Sequence, residues 1–129
     1  MSFKMSAPSP EHQRIVGALK GILEQQYGYT ITCGDYGNLQ PCQLVGNYRP
    51  DLGGNNPSNN HVVIGEAERC EELQSQQTLD QIKAFADYIK DKQLYYLHIA
   101  VPQNCLSQLA NILEQLGLTD RKDILTHGV

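Results

Sequence analysis

One stretch of the sequence, residues 48–68, constrains the fold more than any other. It contains a run of high β propensity at 61–64, which the acidic residues Glu66 and Glu68 follow and a Gly-, Asn- and Pro-rich segment precedes. Side chains alternate between the two faces of a strand, so residues two positions apart point to the same face. The stretch therefore predicts a strand that carries two carboxylates on one face.

A third carboxylate, Asp51, lies on the other side of the polar segment. If residues 48–52 pair with 61–68 as a hairpin, Asp51 lies beside the two glutamates, and residues 53–60 form an exposed hairpin tip. Three carboxylates that converge repel one another unless a cation neutralises them, and sites rich in oxygen ligands suit Mg²⁺ or Mn²⁺. We therefore expect a divalent metal ion at this edge of the sheet.

These residues resemble the motif of the PD-(D/E)xK nuclease superfamily, which includes restriction enzymes and archaeal Holliday-junction resolvases. The motif is Pro-Asp, a spacer, and then an acidic residue, any residue and Lys at the end of a strand. Pro50 and Asp51 match its first half. Glu66 matches the acid, and Glu68 stands at the position of the Lys. The resemblance covers most of residues 11–102 and implies an α/β, restriction-endonuclease-like fold, in which helices flank both sides of a mixed central β-sheet.

The resemblance also implies roles for individual residues. Asp51 and Glu66 would hold the first metal ion together with the backbone carbonyl of Ala67. An acidic residue on the first helix supplements the metal site in many members, and Glu11 is similar to it. Gln81 resembles a glutamine that supports the site from the helix after the catalytic strand.

Each of these residues also has a plain structural interpretation. A Glu in the first turn of a helix interacts favourably with the helix dipole, which explains Glu11 without a metal ion. Gln81 lies three residues after Thr78 and completes a capping box at the start of a helix. Glu66 and Glu68 can also be solvent-facing residues at the end of a strand.

The lysine of the motif has no evident replacement. Lys83 lies two residues after Gln81, about 200° around a helix, so it faces away if Gln81 faces the site. Tyr88, seven residues after Gln81, shares its face and resembles a tyrosine that superfamily members often carry on this helix. A few restriction enzymes use Glu at the lysine position, so the resemblance implies that Glu68 accepts the proton of the attacking water or binds a second metal ion.

The first third of the chain predicts a helix and a strand. Ser9 and Pro10 are typical of a helix start, and apolar residues at helical spacing extend that helix to about Gln26. Alternating β-branched residues predict a strand at 29–33. Residues 34–46, rich in Gly, Asn and Gln, predict a loop or a weak strand.

The last third predicts helices and strands in alternation. A helix that begins at Thr78 separates the acidic strand from the apolar run 94–102, so the two strands pair in parallel through a crossover. The run is typical of a central strand that is covered on both faces, and we interpret its His98 as a core or surface histidine. A helix over 106–116 and a short strand over 124–129 complete the layout.

Composition indicates one globular domain and does not favour a broad nucleic-acid-binding surface. Of 129 residues, we expect 1–9 to be a flexible tail and 10–129 to form the domain. The chain has 14 acidic and 10 basic residues and a net charge of −4, whereas nucleic-acid-binding surfaces are normally basic. No apolar run approaches the ~20 residues of a membrane helix. The N-terminus also lacks the apolar core of a signal peptide, so we expect a cytoplasmic protein.

The four cysteines, Cys33, Cys42, Cys70 and Cys105, show neither C-x-x-C spacing nor a paired-histidine motif. We therefore expect buried or half-buried reduced thiols instead of a zinc site or a disulfide framework. On this interpretation the cysteines contribute nothing to the acidic site.

The sequence leaves three functional hypotheses open. The first is a Mg²⁺- or Mn²⁺-dependent endonuclease acting on branched or duplex DNA, with Asp51, Glu66 and Glu68 at the metal site and Gln81 in support. The second, motivated by the missing lysine, is a catalytically inactive domain of the same fold that acts as a binding or regulatory subunit. The third is a generic α/β domain. The resemblance also implies a homodimer, since small nucleases of this superfamily often dimerise to reach two strands.

Overall fold

The helices and strands follow the apolar patterning of the chain. The computed structural model describes residues 9–129, which form helices α1 (Pro10–Gln25), α2 (Gln76–Lys90) and α3 (Leu106–Gln115) and strands β1 (Thr30–Gly34), β2 (Leu52–Asn56), β3 (His61–Ala67), β4 (Tyr95–Val101) and β5 (Ile124–Gly128). Short 3-10 helices at Cys70–Gln74 and Gln103–Cys105 precede α2 and α3. Within this range, no helix combines the length and the apolar character that crossing a membrane requires.

The five strands form one mixed sheet in which the spatial order is the chain order. β1, β2 and β3 pair antiparallel, whereas β3, β4 and β5 pair in parallel. The parallel pairing of β3 with β4 confirms the prediction from the helix between them, because a helical crossover returns the chain in the same direction. The predicted α/β class and the mixed sheet are confirmed.

Both faces of the sheet are covered. On one face α1 packs against β2, β3 and β4, in a layer that includes Ile15, Val16, Leu19, Leu23, Leu52, Val63, Ala67 and Ala100. On the other face α2 and α3 pack against β3 and β4, in a layer that includes Ile64, Ile82, Phe85, Ile89, Leu97, Ile99, Val101 and Leu109. The nearly continuous apolar run of β4 reflects this burial on two sides.

Serine side chains begin two of the helices. Ser9 caps α1 by accepting a hydrogen bond from the His12 N–H at 2.9 Å, as predicted. The expected tail 1–9 otherwise lies outside the described residues. Ser75, and not the predicted Thr78, caps α2, because Ser75 keeps an extended backbone and accepts from the Thr78 N–H at 3.1 Å. Thr78 therefore lies inside the first turn of α2.

Two glycines explain why the hairpin differs from its prediction. The predicted pairing of residues 48–52 with 61–68 is wrong except at Leu52, because β2 begins there and pairs with β3 from Leu52 to Asn56. β2 thus includes Gly53 and Gly54, which the sequence predicts as part of an exposed tip at 53–60, and the tip comprises only residues 57–60. A Cβ at Gly54 would collide with the backbone of Thr30 on β1. Glycine here permits a close approach of two strands, so residues that indicate a turn by composition instead extend a strand.

The expectation of reduced cysteines is wrong, because the four cysteines form two disulfide bonds. Cys33 at the end of β1 bonds Cys42, with 4.9 Å between their Cα atoms. Cys70 and Cys105, whose Cα atoms are 5.8 Å apart, bond across the chain segments that follow β3 and β4. Parallel strands end at the same edge of a sheet, so tertiary pairing brings these cysteines together although they are 35 residues apart.

Candidate metal centre

A cleft of about 1320 Å³ opens at the edge of the sheet where β3 ends and β2 begins. It is lined by residues of α1, the loop after β1, the segment before β2, the end of β3 and the start of α2. The lining residues include the predicted Asp51, Glu66, Ala67, Glu68 and Gln81, together with the unpredicted His12 and Asp35. The structure therefore brings most of the predicted site residues into one cleft.

Asp51 lies directly before β2 and is anchored to the end of β3. Its Oδ2 accepts a hydrogen bond from the Ala67 N–H at 2.9 Å and lies 3.4 Å from Nε2 of His12. The side chain is 13% exposed, so the carboxylate faces the cleft from a half-buried position. Ala67 thus contacts this carboxylate through its N–H, whereas the sequence resemblance assigns a role to its carbonyl.

Glu66 is the most buried acid of the site, at 2% exposure. Its Oε2 accepts a hydrogen bond from Nε2 of Gln81 at 2.9 Å, whereas its Oε1 is buried and meets no partner among residues 9–129. Gln81 lies in the second turn of α2 and positions this carboxylate. Because Ser75 caps α2, the capping explanation of Gln81 does not hold.

Glu68 extends the pairing of β3 by one residue, since its N–H donates to the Ala100 carbonyl at 3.0 Å. It is 4% exposed, and its Oε2 is buried without a hydrogen-bond partner in the described part of the chain. Glu66 and Glu68 are therefore not the solvent-facing strand-end residues of the third hypothesis. Two buried carboxyl groups lie side by side, and each has an oxygen without a donor.

Burial dominates the protonation of these acids. It raises the pKa of Glu66 well above its usual value, and the charges of Asp51 and Glu68 raise it further. Burial also raises the pKa of Glu68 to about 7. Removing water disfavours an ionised carboxylate, and so does a like charge nearby. Without a cation, the pair therefore retains protons at pH values where free glutamates have lost them.

The first helix contributes His12 and not the predicted Glu11. Glu11 is exposed and is not among the residues that line the cleft. Successive residues on a helix point about 100° apart, so His12 faces the cleft when Glu11 does not. A hydrogen bond with Asp51, opposed by burial and helped by the charge of Asp51, raises the pKa of His12 to about 9. The only signal for His12 in the sequence is its position in the first turn of the predicted helix, directly after Glu11.

Asp35 joins the site from the loop after β1, which the sequence predicts only as irregular. The Asp35 N–H donates to the Asp51 carbonyl at 2.8 Å, and Nε2 of Gln13 donates to the Asp35 carbonyl at 3.0 Å. Ligand atoms of His12, Asp35 and Asp51 lie within 4.8 Å of one another, so this group could hold a metal ion. The signal for Asp35 in the sequence is a carboxylate just after the predicted strand 29–33.

Two further residues of α2 lie away from the cleft. Tyr88 is exposed and packs edge-on against Tyr95, with 6.2 Å between ring centroids, so it does not share a cleft with Gln81. Lys83 pairs with Asp87 at 3.1 Å on the exposed side of the helix. No lysine is among the cleft-lining residues in the described range, so the motif lysine has no replacement there.

No family model, curated protein or solved structure matches the chain. The chemistry of the site therefore follows from its possible metal ligands. These are buried carboxylates with oxygens that accept no hydrogen bond, a half-buried aspartate, and one imidazole. Such oxygen-rich sets bind hard or borderline divalent cations.

Proposed function

We propose that the chain is a divalent-metal-dependent endonuclease of the PD-(D/E)xK type, which hydrolyses phosphodiester bonds of DNA with Mg²⁺ or Mn²⁺. The observation that carries this proposal is the pair of buried oxygens, Oε1 of Glu66 and Oε2 of Glu68, that meet no donor within residues 9–129. A cation held by Asp51 and Glu66, whose side chains are in contact, would bring positive charge to this pair.

The cost of burying these acids supports a functional site over a structural one. An ionised carboxylate without a partner in a protein interior costs several kcal/mol, and apolar residues of similar size would avoid that cost. Strongly shifted carboxyl groups that line a cleft occur most often at catalytic sites. Glu66 and Glu68 satisfy both conditions, because they are buried and line the cleft.

The residues would divide the chemistry as follows. Asp51 and Glu66 hold the cation, and Gln81 fixes the orientation of Glu66. When bound, the cation neutralises charge on the phosphate and on the leaving oxygen. Glu68, whose raised pKa suits a general base near neutral pH, accepts the proton of the attacking water. The water oxygen then bonds to phosphorus as the bond to the leaving oxygen breaks.

The architecture is compatible with this proposal. A mixed sheet with α1 on one face and with α2 and α3 on the other supports a restriction-endonuclease-like arrangement. The net charge of −4 is a weaker argument against DNA binding than it first suggests. Asp51, Glu66 and Glu68 are three of the 14 acids, and a bound cation would neutralise their charge. DNA as substrate and a homodimer are parts of the same proposal.

A second candidate function is a catalytically inactive binding or regulatory subunit of the same fold. The absence of a lysine among the described cleft residues favours it. The two arginines of the cleft are also engaged elsewhere. Arg49 donates to the Cys42 carbonyl, and Arg69 lies 3.0 Å from Glu71 and 3.6 Å from Glu72.

Calorimetry with Mg²⁺ and Mn²⁺, followed by cleavage assays on plasmid, branched and single-stranded DNA, tests the proposal. We expect ion binding and cleavage in the wild type, loss of both in Glu66→Gln, and retention of both in Glu114→Gln. Glu114 is a matched control because it is exposed on α3 and does not line the cleft. Absence of ion uptake would refute the nuclease. Uptake without cleavage of any substrate would favour the binding subunit.

A further inference from the structure

One wall of the cleft is apolar, although acids lie at its base. The chain between β1 and β2 forms this apolar wall, whose members are Tyr36, Leu39, Pro41, Leu44 and Tyr48. Leu39 and Tyr48 are partly buried against the two core layers. Tyr36 is 37% exposed and Leu44 is 57% exposed, so these two side chains keep a large apolar surface free within the cleft.

The apolar wall is continuous with the site assigned to hydrolysis. A carboxylate oxygen of Asp35, which precedes Tyr36 in the chain, lies within 4.8 Å of a ligand atom of Asp51. A protein partner seated on the wall would block access to the acids, whereas a strand that reaches the acids extends along the wall. The position of the wall therefore favours the substrate as its occupant.

The ring of Tyr36 is supported from below by α1. Its hydroxyl end lies over Gly17, where a Cβ would come within 2.6 Å of the phenolic oxygen. Any larger residue at this position would displace the ring. Glycine thus allows the tyrosine to lie against the helix while the rest of its surface faces the cleft.

The loop that carries Tyr36 is also held in place. The disulfide bond Cys33–Cys42 closes it, and the Asp35 N–H donates to the Asp51 carbonyl at 2.8 Å. Gln13 of α1 donates to the Asp35 carbonyl at 3.0 Å. Little backbone ordering therefore remains to be lost when a ligand binds to this wall, which favours affinity.

The basic side chains of the cleft do not favour a duplex. Those among its described lining residues are His12, Arg49 and Arg69. Arg49 donates to a backbone carbonyl, Arg69 pairs with acids of its own segment, and His12 lies 3.4 Å from Asp51. Proteins that bind duplex DNA neutralise several phosphates with Lys and Arg, so here the bases must supply much of the affinity.

We infer that the substrate of this site is an unpaired strand, with one base stacked on Tyr36 and a neighbouring base packed against Leu44. This inference rests on the proposed function, because it names the form of DNA that the same site takes. Every base has a π face, so stacking on an aromatic side chain tolerates any sequence. In a duplex both faces of a base are already stacked on its neighbours, so the apolar wall accepts a base only where the strand is open.

Fluorescence anisotropy with three labelled probes tests the inference: a single strand of about 12 nucleotides, its duplex, and a strand of equal length without bases. Binding would be measured with Mn²⁺ in a Glu68→Gln background, which removes the proposed base and so keeps the strand intact. Tyr36→Ala, Tyr36→Phe and Leu44→Ala would be compared in it. Tyr88→Ala is the matched control, since Tyr88 is 40% exposed and does not line the cleft.

We expect the single strand to bind at least about tenfold more tightly than the duplex or the strand without bases. Tyr36→Ala should remove about tenfold of this affinity, because one stacked base is lost, and Leu44→Ala should remove less. Tyr36→Phe keeps the ring and should bind like its parent, as should Tyr88→Ala. Thermal unfolding of every variant verifies that it is folded.

Equal binding of single strand and duplex, equal binding with and without bases, or full affinity in Tyr36→Ala would each overturn the inference. The proposed function would still stand if the otherwise wild-type protein bound Mn²⁺ and cleaved DNA in a manner that depends on Glu66. Single-strand binding that depends on Tyr36, without cleavage of any DNA by that protein, would support the apolar wall as a binding surface and refute the hydrolysis.

Discussion

Two polar clusters on neighbouring strands differ in whether the fold supplies their hydrogen-bond partners. On β4, His98 is 1% exposed, and its Nδ1 lies 2.9 Å from Nε2 of His127 on β5, with the rings stacked at 7°. At the end of β3, Glu66 and Glu68 are equally buried, yet each has an oxygen without a partner in the described range. The histidines hydrogen-bond each other within the fold, whereas the unpartnered oxygens of the acids require a proton or a cation.

The surroundings of the two clusters explain the contrast. The histidine pair is enclosed by aromatic rings, with Tyr27 edge-on at 4.6 Å from His98. Burial and the neighbouring His127 lower the pKa of His98 to about 3, so the pair stays neutral. The acids instead line an open cleft. Buried polar groups that the fold satisfies are structural, and those it leaves unsatisfied beside a cleft indicate function.

The disulfide bond Cys70–Cys105 joins the segments after the two strands that carry these clusters, and its loss should have the largest effect. Replacing both cysteines with serine should lower the free energy of unfolding by about 3–4 kcal/mol, because the bond closes a long loop. Urea denaturation measures this loss. The matched control is the Cys33/Cys42 pair, which is nine residues apart and should cost only about 2–3 kcal/mol. Equal losses would contradict the loop-length explanation.

Glu68→Gln should stabilise the protein when divalent cations are absent. The pKa of Glu68 is raised to about 7 in the folded protein, so the folded state holds this proton more tightly than the unfolded state does. The resulting contribution to the free energy of unfolding is fully present below the unfolded pKa and is lost as the pH rises through 7. Above that pH the variant should gain about 2–3 kcal/mol. Urea denaturation in chelator at alkaline pH measures the gain, and saturating Mn²⁺ should abolish or reverse it. A variant less stable in chelator would show that the carboxylate is satisfied within the fold.

The histidine pair should produce the opposite pH dependence. The folded pKa of His98 is about 3, below its unfolded value of 6.5, so its contribution is present above pH 6.5 and is lost as pH falls towards 3. At about pH 5 this loss should reach about 2 kcal/mol. His98→Gln should flatten the acid limb of a stability–pH curve measured in urea. An unchanged slope would assign acid sensitivity to other groups.

Gln81→Ala should have the smallest effect, and it tests how far Glu66 depends on the amide that donates to it. Gln81 is the donor to Glu66, and removing a residue that orients a metal ligand should weaken Mn²⁺ binding at least about tenfold, or about 1.4 kcal/mol. Calorimetry measures the affinity. Gln115→Ala on α3, exposed and outside the cleft, is the control. Unchanged affinity would remove Gln81 from the positioning role.

Much of the fold could be predicted from local pattern. The order of helices and strands, the helix start at Ser9 and the parallel pairing of β4 agree with the structure. Errors arose where a local signal had two meanings. Gly53 and Gly54 indicate a turn by composition but form part of a strand. Thr78 resembles an N-cap residue but lies in the first turn of α2, after the actual N-cap Ser75.

The pairing of the cysteines escapes local pattern for a different reason. Neither disulfide bond has a spacing signature, since Cys70–Cys105 depends on which strand ends become neighbours and Cys33–Cys42 on how the loop after β1 folds back. Disulfide bonds are rare in cytosolic proteins, so the two bonds weigh against the predicted cytoplasmic location. Expression in an oxidising and a reducing compartment, with thiol counting, would determine which state the protein adopts.

By itself, the sequence determined the order and type of the elements and the placement of Glu66 and Glu68 on one face of a strand. Those properties depend on periodicities of two and 3.6 residues, which are local. Only the tertiary structure decided that these acids are buried, that Gln81 reaches Glu66, and that His12 and Asp35 join Asp51. Such meetings depend on packing between segments far apart in the chain, and local pattern carries no information about them.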